Sequence, residues 1–569
     1  MKNKHFYIMT LLCAGIFNPV IAAGQQPAFP ESKRPLMELE TIDDPYLPNA
    51  WQNKKTSPPF QFSQNTSAKL TGTSIYTAQV NVDGAGNNIL GDAANEPGLA
   101  LNPLNPDAMV IGWRQFDNVA SNFRQAGWSY SADAGLSWTF PGVIDPGVFR
   151  SDPVLDYDLQ GNFYYNSLTP YPEFFCKVYQ SGDGGAAWND GTDAGGGDKQ
   201  WMAIDRTAGE GSGNIYAFWS VSSSSCLPGS FTRSEDNNLS YEDCIEINGD
   251  PYFGNMTINN AGELYIVSAG DAEDGLEVIK SVNVSAPGSV INWETPVEVY
   301  MDGYISIGED VNPDGLLGQA NIDVDRSGGP GEGNVYVLAS LARVTGSDNG
   351  DVMFSKSSDG GSTWSDPIKI NDDTSPTKTQ WLGTMSVAPN GRIDAVWLDN
   401  REAPAGSEIS ALYYSYSLDQ GETWSVNEKL SEVFDPHLGY PNQDKMGDYF
   451  DMISDETGAF LAWANTLNGE EDVYYSHILP DLGAITNITG ISYDQITIVP
   501  NPTNGEFIIT GINDISNVEI CNAIGAVLFN TNIFSDASPM NISNLPSGIY
   551  FIKITMENGS SVIKKIIRN

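Results

Sequence analysis

The sequence predicts an all-β protein: a ring of four-stranded antiparallel units (a propeller), followed by a small antiparallel sandwich. Three observations carry this reading. The turn Ser357-Ser-Asp359-Gly-Gly361-Ser-Thr363-Trp364 recurs along the chain. Between residues 96 and 480, strands and turns repeat in units of similar length. From residue 491 the pattern changes to apolar alternation with little net charge.

Each residue type in the recurring turn has a physical task. An Asp carboxylate accepts hydrogen bonds from the turn's own N–H groups. Gly permits a positive φ, Ser and Thr add hydroxyl bonds, and Trp buries a large ring against the neighbouring surface. Further copies stand at Ser131/Asp133/Trp138, Ser181/Asp183/Trp188 and Ser417/Asp419/Trp424, with a worn one at Ser234/Asp236/Tyr241. These turns resemble the Asp box of bacterial neuraminidase repeats, and residues 75–480 resemble the sialidase-like β-propeller family. The resemblance implies that Asp133, Asp183, Asp236, Asp359 and Asp419 are structural. It also implies that they lie on the face away from any active site.

Residues 1–23 read as a signal peptide. Lys2, Lys4 and His5 precede an apolar run, Phe6 to Phe17, too short to span a membrane, and Val20-Ile-Ala-Ala23 offers a cleavage site. No other stretch is apolar and long enough to be transmembrane. Residues 24–74, rich in Pro, Gln, Asn and Ser, read as an arm or linker. Between residues 75 and 96, Asp83, Asp92 and Glu96 among glycines supply hard oxygen ligands that can hold a structural Ca²⁺. The other reading is a solvated loop.

Seven units follow, with second strands at 108–113, 162–167, 214–219, 263–268, 334–339, 393–397 and 459–463. Successive turn aspartates lie 50 (133 to 183), 53 (183 to 236), 123 (236 to 359) and 60 (359 to 419) residues apart. The long gap hides a unit without the turn, in which Trp293 stands in for its Trp. Seven blades are favoured, and six plus a decayed repeat is the alternative. Residues 491–569 carry Pro500-Asn501-Pro502-Thr-Asn-Gly505, then Gly525, Leu545-Pro-Ser-Gly548-Ile-Tyr550, and a basic end at Lys564, Lys565 and Arg568. This order resembles the type A C-terminal sorting domain of the type IX secretion system of Bacteroidota. It implies export, secretion or surface attachment, and the secretion machinery as a partner.

The formal net charge is −44 over 569 residues. Six acids against four bases after residue 490 leave −42 for the rest. Such a surface argues against nucleic acid, whose binding needs Lys and Arg against phosphates. Cys226 and Cys244 bracket the worn turn, and export permits a disulfide there. Three histidines are too few for a His-rich metal centre.

A sialidase clamps a sugar carboxylate with three arginines, whose planar forks match it. It attacks with a Tyr assisted by Glu and uses an Asp as acid–base. Arg114, Arg150, Arg343 and Arg401 are available for the clamp and substrate binding, Asp152 for the acid, Tyr449 or Tyr440 for the nucleophile, and Glu309 or Glu402 for its helper. Arg114 stands in Gly-Trp-Arg-Gln, where the family has Phe/Tyr-Arg-Ile-Pro. The opposing reading pairs each arginine with a blade-edge carboxylate, as Asp399-Asn-Arg401-Glu402 suggests. Three functions follow. One is exo-glycosidase action on extracellular glycans or glycoproteins by sialidase-type hydrolysis, with no cofactor required. Another is a non-catalytic propeller that binds glycan or protein. The third is a Ca²⁺-stabilised structural part with a plugged channel.

Overall fold

The computed structural model describes residues 44–47, 54–64, 72–170, 174–269, 274–346, 348–482, 497–510, 515–521, 527–531, 539–556 and 561–569. The signal-peptide segment lies outside them. The chain divides into two compact units, Met1–Asp481 and Leu482–Asn569.

The first unit is a ring of seven antiparallel sheets among the described residues. The sheets begin with the inner strands Ala93–Leu101, Ser151–Tyr157, Trp201–Ile204, Met256–Ile258, Asn321–Val324, Gln380–Val387 and Asp451–Ser454. Each inner strand packs beside the next, and the seventh returns to the first, which closes the ring. Second strands lie where the apolar runs place them, for instance Met109–Phe116 and Ala459–Asn465. Aromatic residues on these strands fill the space between sheets: Trp113, Trp219, Trp397 and Trp463 are almost wholly buried.

The seventh blade closes the ring with strands from both ends of the unit. Ser74–Gln79 pairs with Asp472–Leu479, with Thr77 opposite Ser476, and Gln61–Gln64 adds a further strand outside it. The segment expected as an arm therefore contributes strands, because the last blade's exposed edge has N–H and C=O groups to satisfy. Thr56–Ser57 likewise pairs with Asn88–Ile89. The fourth strand of the third blade is reduced to a single bridge, Phe231 to Ile245. Cys226 and Cys244, 18 residues apart, are joined there by a disulfide. In the chain-entropy view that loop contributes on the order of 3 kcal/mol.

The recurring turns form as their residues require. Asp359 Oδ1 accepts from the backbone N–H of Thr363 (2.9 Å), and Oδ2 accepts the Thr363 hydroxyl (2.6 Å). The Ser357 hydroxyl donates to Asp359 Oδ1 (2.8 Å) and accepts from the N–H of Gly361 (2.8 Å), where φ is +89°. The Thr363 hydroxyl and N–H hold the Asp359 carboxyl down at about 2. Asp133, Asp236 and Asp419 repeat the arrangement, and Asp183, which lacks the hydroxyl at the corresponding position, keeps the rest. Trp293 packs edge-on against Phe231.

The second unit has a three-stranded sheet (Thr497–Val499, Glu506–Thr510, Pro539–Asn541) and a four-stranded one (Val527–Thr531, Ile515–Cys521, Gly548–Met556, Ser561–Arg568). Alternate apolar residues such as Phe507, Ile520, Ile552, Ile554 and Ile566 make its core.

Candidate functional site

First and third strands of a blade run parallel, since both are antiparallel to the second. The C-terminal ends of the inner strands and the recurring turns therefore share one face of the ring. The N-terminal ends of the inner strands lie at the opposite face, where sequence reasoning expects chemistry.

At that opposite face every blade has one left-handed residue where its inner strand begins. These are Glu96 (φ 49°), Asp152 (47°), Lys199 (57°), Phe253 (54°), Gly318 (152°), Leu382 (52°) and Gly447 (97°). Five are not glycine, so each carries a local cost of about 1–2 kcal/mol. The ladder slips at the same place in the first, second and sixth blades, between Asn95 and Gly98, between Ser151 and Val154, and between Trp381 and Thr384. The bulges at Glu96 and Asp152, and the left-handed turn at Lys199 ahead of its strand, aim these three side chains at the channel's centre.

There they form a dry ion network. Arg114 Nη2 lies 3.1 Å from Glu96 Oε1, and Lys445 Nζ lies 3.6 Å from the same oxygen. Asp448 Oδ2 receives Lys199 Nζ (2.6 Å) and Lys445 Nζ (2.9 Å), and Lys199 also lies 3.9 Å from Asp152 Oδ2. Exposure is 0% for Arg114 and Glu96 and no more than 3% for Asp152, Lys199, Lys445 and Asp448. Two crossing loops bond to each other over the network. Asn312 donates to the carbonyl of Gly447 (2.8 Å) and accepts from the N–H of Met446 (2.9 Å), and the N–H of Leu316 reaches Asp448 Oδ1 (2.9 Å).

Burial sets the protonation pattern. It would raise Asp448 and Asp152, but two lysines beside Asp448, and Lys199 and Arg114 beside Asp152, outweigh it. Asp448 falls well below the usual carboxylate range and Asp152 falls to about 2. For Glu96 and Asp198 burial wins, and both rise to about 7 despite Arg114 and Lys199 respectively. Burial, then the Glu96 and Asp152 carboxylates, push the Tyr449 phenol well up.

Of the residues expected to form a catalytic set, Arg114, Asp152 and Tyr449 come to this region. Tyr449 donates its hydroxyl to the carbonyl of Pro153 (2.9 Å) and packs edge-on against Trp201. Glu309 accepts the hydroxyl of Ser306 (2.6 Å). The other arginines are engaged within their own blades or crossings: Arg150 with Asp145 (3.0 Å), Arg343 with Asp302 and Asp351, and Arg401 with Asp399 (2.8 Å) and Asp372 (2.6 Å). Glu402 accepts from Lys429 (2.6 Å) and Tyr413, and Tyr440 is half-buried beside His437.

The expected Ca²⁺ ligands diverge. Asp83 accepts the N–H groups of Ala85 and Asn87 (both 2.8 Å), Asp92 accepts from Gln115 (3.0 Å), and Glu96 belongs to the ion network. Among the described residues no three His, Cys, Asp or Glu side chains converge as a metal-holding group, and no helix is long and apolar enough to cross a membrane.

The channel itself is a cavity of about 310 Å³, lined by the later halves of the inner strands and leading to the face of the recurring turns. Inner strands are sheet edges, and their N–H groups are taken by side chains of the preceding blade. Asp451 accepts from Leu99 (2.7 Å), Asp156 from Ile204 (2.7 Å), Asn255 from Ile322 (2.7 Å), Asp323 from Val387 (2.8 Å) and Ser386 from Ser454 (3.0 Å). At the mouth, Arg206 binds Asp156 and lies 4.3 Å over the Tyr157 ring, while Arg326 binds Asp323 (2.9 Å). Asp205-Arg206 and Asp325-Arg326 open two near-copies of one glycine-rich hairpin, each ending Gly-Asn-Ile/Val-Tyr. That internal repeat was legible in the sequence and marks the mouth.

Residues 497–569 match the family model described as a secretion system C-terminal sorting domain. The chain is addressed to the outside or to the outer surface. No curated protein matches it. Solved structures that are similar include a protein of unknown function from Dyadobacter fermentans. It is 14% identical, the match covers 71% of this chain and 98% of that one, and the TM-score is 0.40. The Hadza microbial sialidase Hz136 is 14% identical over 68% of this chain and 66% of its own, with a TM-score of 0.35. YCF48 bound to D1 peptide is 12% identical over 72% and 97%, with a TM-score of 0.36. Such values carry no inference about activity, and the propeller assignment rests on the closed ring of sheets.

Proposed function

We propose that this exported propeller binds a glycan or protein partner outside the cell and does not hydrolyse sialosides. One observation carries the reading. Arg114, Asp152 and Tyr449, the residues that sialidase chemistry would need exposed, lie in the interior beneath two mutually bonded loops, each already engaged by another group of the protein. A carboxylate clamp needs open guanidinium forks, and a Tyr nucleophile needs a phenol whose proton can be removed. Here burial and neighbouring carboxylates oppose ionisation of Tyr449. Arg150, Arg343 and Arg401 each meet an acid nearby, which leaves no shared clamp with Arg114.

The test is release of 4-methylumbelliferone from its α-sialoside by the purified chain beside Arg114→Ala. The expected result is release no faster than the blank. Release by the parent chain that disappears in folded Arg114→Ala would overturn the reading. Retention on a glycan array or on an extracellular protein then identifies the partner class.

A further inference from the structure

The channel is blind. Its inner end is closed by Trp201, backed by Tyr449 and the ion network, and its mouth opens between the turns that follow the inner strands, on the face that also carries the recurring turns. A volume of about 310 Å³ is at the lower end of the roughly 300–1,000 Å³ of small-ligand sites. Most polar groups on its wall are already spent. Asp156 and Asp323 each have an arginine and a backbone N–H, and the Asn255 carbonyl takes a backbone N–H. Asp451 differs. It accepts the N–H of Leu99, is partly exposed toward the cavity, and pairs with no Lys, Arg or His among the described residues. With three acids (Asp156, Asp323, Asp451) against two arginines (Arg206, Arg326), the lining has one uncompensated carboxylate.

Resting on the reading of this protein as a binding propeller, we propose that the blind channel receives a cationic side chain, a primary ammonium on an extended protein segment, with Asp451 as its counter-ion. A neutral sugar would need several unspent donors and acceptors, whereas an ammonium needs one strong acceptor in a narrow site. Trp201 supplies an apolar wall for the aliphatic stem. The −42 carried outside the sorting domain draws basic partners toward the molecule.

The test is ligand-observed NMR with the full chain in 150 mM salt, using Nα-acetyl-lysine amide, its Nε-acetylated form and lactose as probes. The expected result is saturable binding of the ammonium probe alone. It should weaken at least tenfold in Asp451→Asn, which keeps an acceptor for Leu99, and stay unchanged in Asp366→Asn, an exposed acid on the same unit. A second measurement needs no variant. Burial, and then the Asp156 carboxylate, raise Asp451 to about 7, while the N–H of Leu99 opposes this. Affinity should therefore rise about tenfold from pH 6 to 8 as Asp451 ionises. Equal binding by parent and Asp451→Asn, binding flat across this pH range, or binding of lactose alone would overturn the proposal. Sialoside hydrolysis would overturn the broader reading by a separate route.

Discussion

At the scale of single residues, the buried network is a set of charges that exclude one another's absence. Removing one partner leaves an ion without water or counter-charge, and such losses amount to about 3–5 kcal/mol. Lys199→Met should therefore destabilise the protein by about that amount in denaturant titrations, since Asp448 and Asp152 both lose a cation. Arg401→Ala, which removes an exposed pair with Asp372 and leaves the buried Asp399 still accepting from the Trp397 indole and the backbone N–H of residue 401, should cost less, about 1–2 kcal/mol. This contrast also explains what the sequence could and could not disclose. Arg114, Asp152 and Tyr449 were legible as candidates for one site. Glu96 was read as a Ca²⁺ ligand because its partner Arg114 is 18 positions away, and only a left-handed bulge turns the two together.

At the scale of elements, the recurring turns are interchangeable parts. Asp359→Ala should cost about 1 kcal/mol, from lost bonds to Thr363 that remain open to water. It should leave any binding in the channel unchanged by titration. The strand Ser74–Gln79 is not interchangeable. A chain beginning at residue 81 should lose the outer strand of the seventh blade, expose the edge of Asp472–Leu479, and self-associate in sedimentation experiments. Second and third strands were legible because apolar alternation and turn residues are local. The closing strand Ser74–Gln79 was not, since its inner partner lies some 400 positions on and no local pattern records such a pairing, and Gln61–Gln64 has only that strand to pair with.

For the whole molecule, acid titration should expose the two classes of buried carboxylate. Glu96 and Asp198 rise to about 7 in the fold, so the stability they contribute is complete below their unfolded values near 4.5 and 3.8. It is lost as pH rises through 7. Asp152 runs the other way, at about 2, and Asp448 lies well below its ordinary value. Their contribution is present above about 3.8 and disappears as pH falls toward 2. The melting temperature should accordingly peak near pH 4, falling toward pH 8 and more steeply below pH 3. A flat profile from pH 5 to 8 would show Glu96 and Asp198 to be ordinary carboxylates. The joint between Thr77 and Ser476 also carries a lesson about time. Whichever end of the chain is delivered first must wait, with an unclaimed strand, until nearly the whole polypeptide has followed it. Folding is then paced by delivery rather than by local collapse, and any companion that shields that strand during the delay would raise the yield without adding one contact to the finished ring.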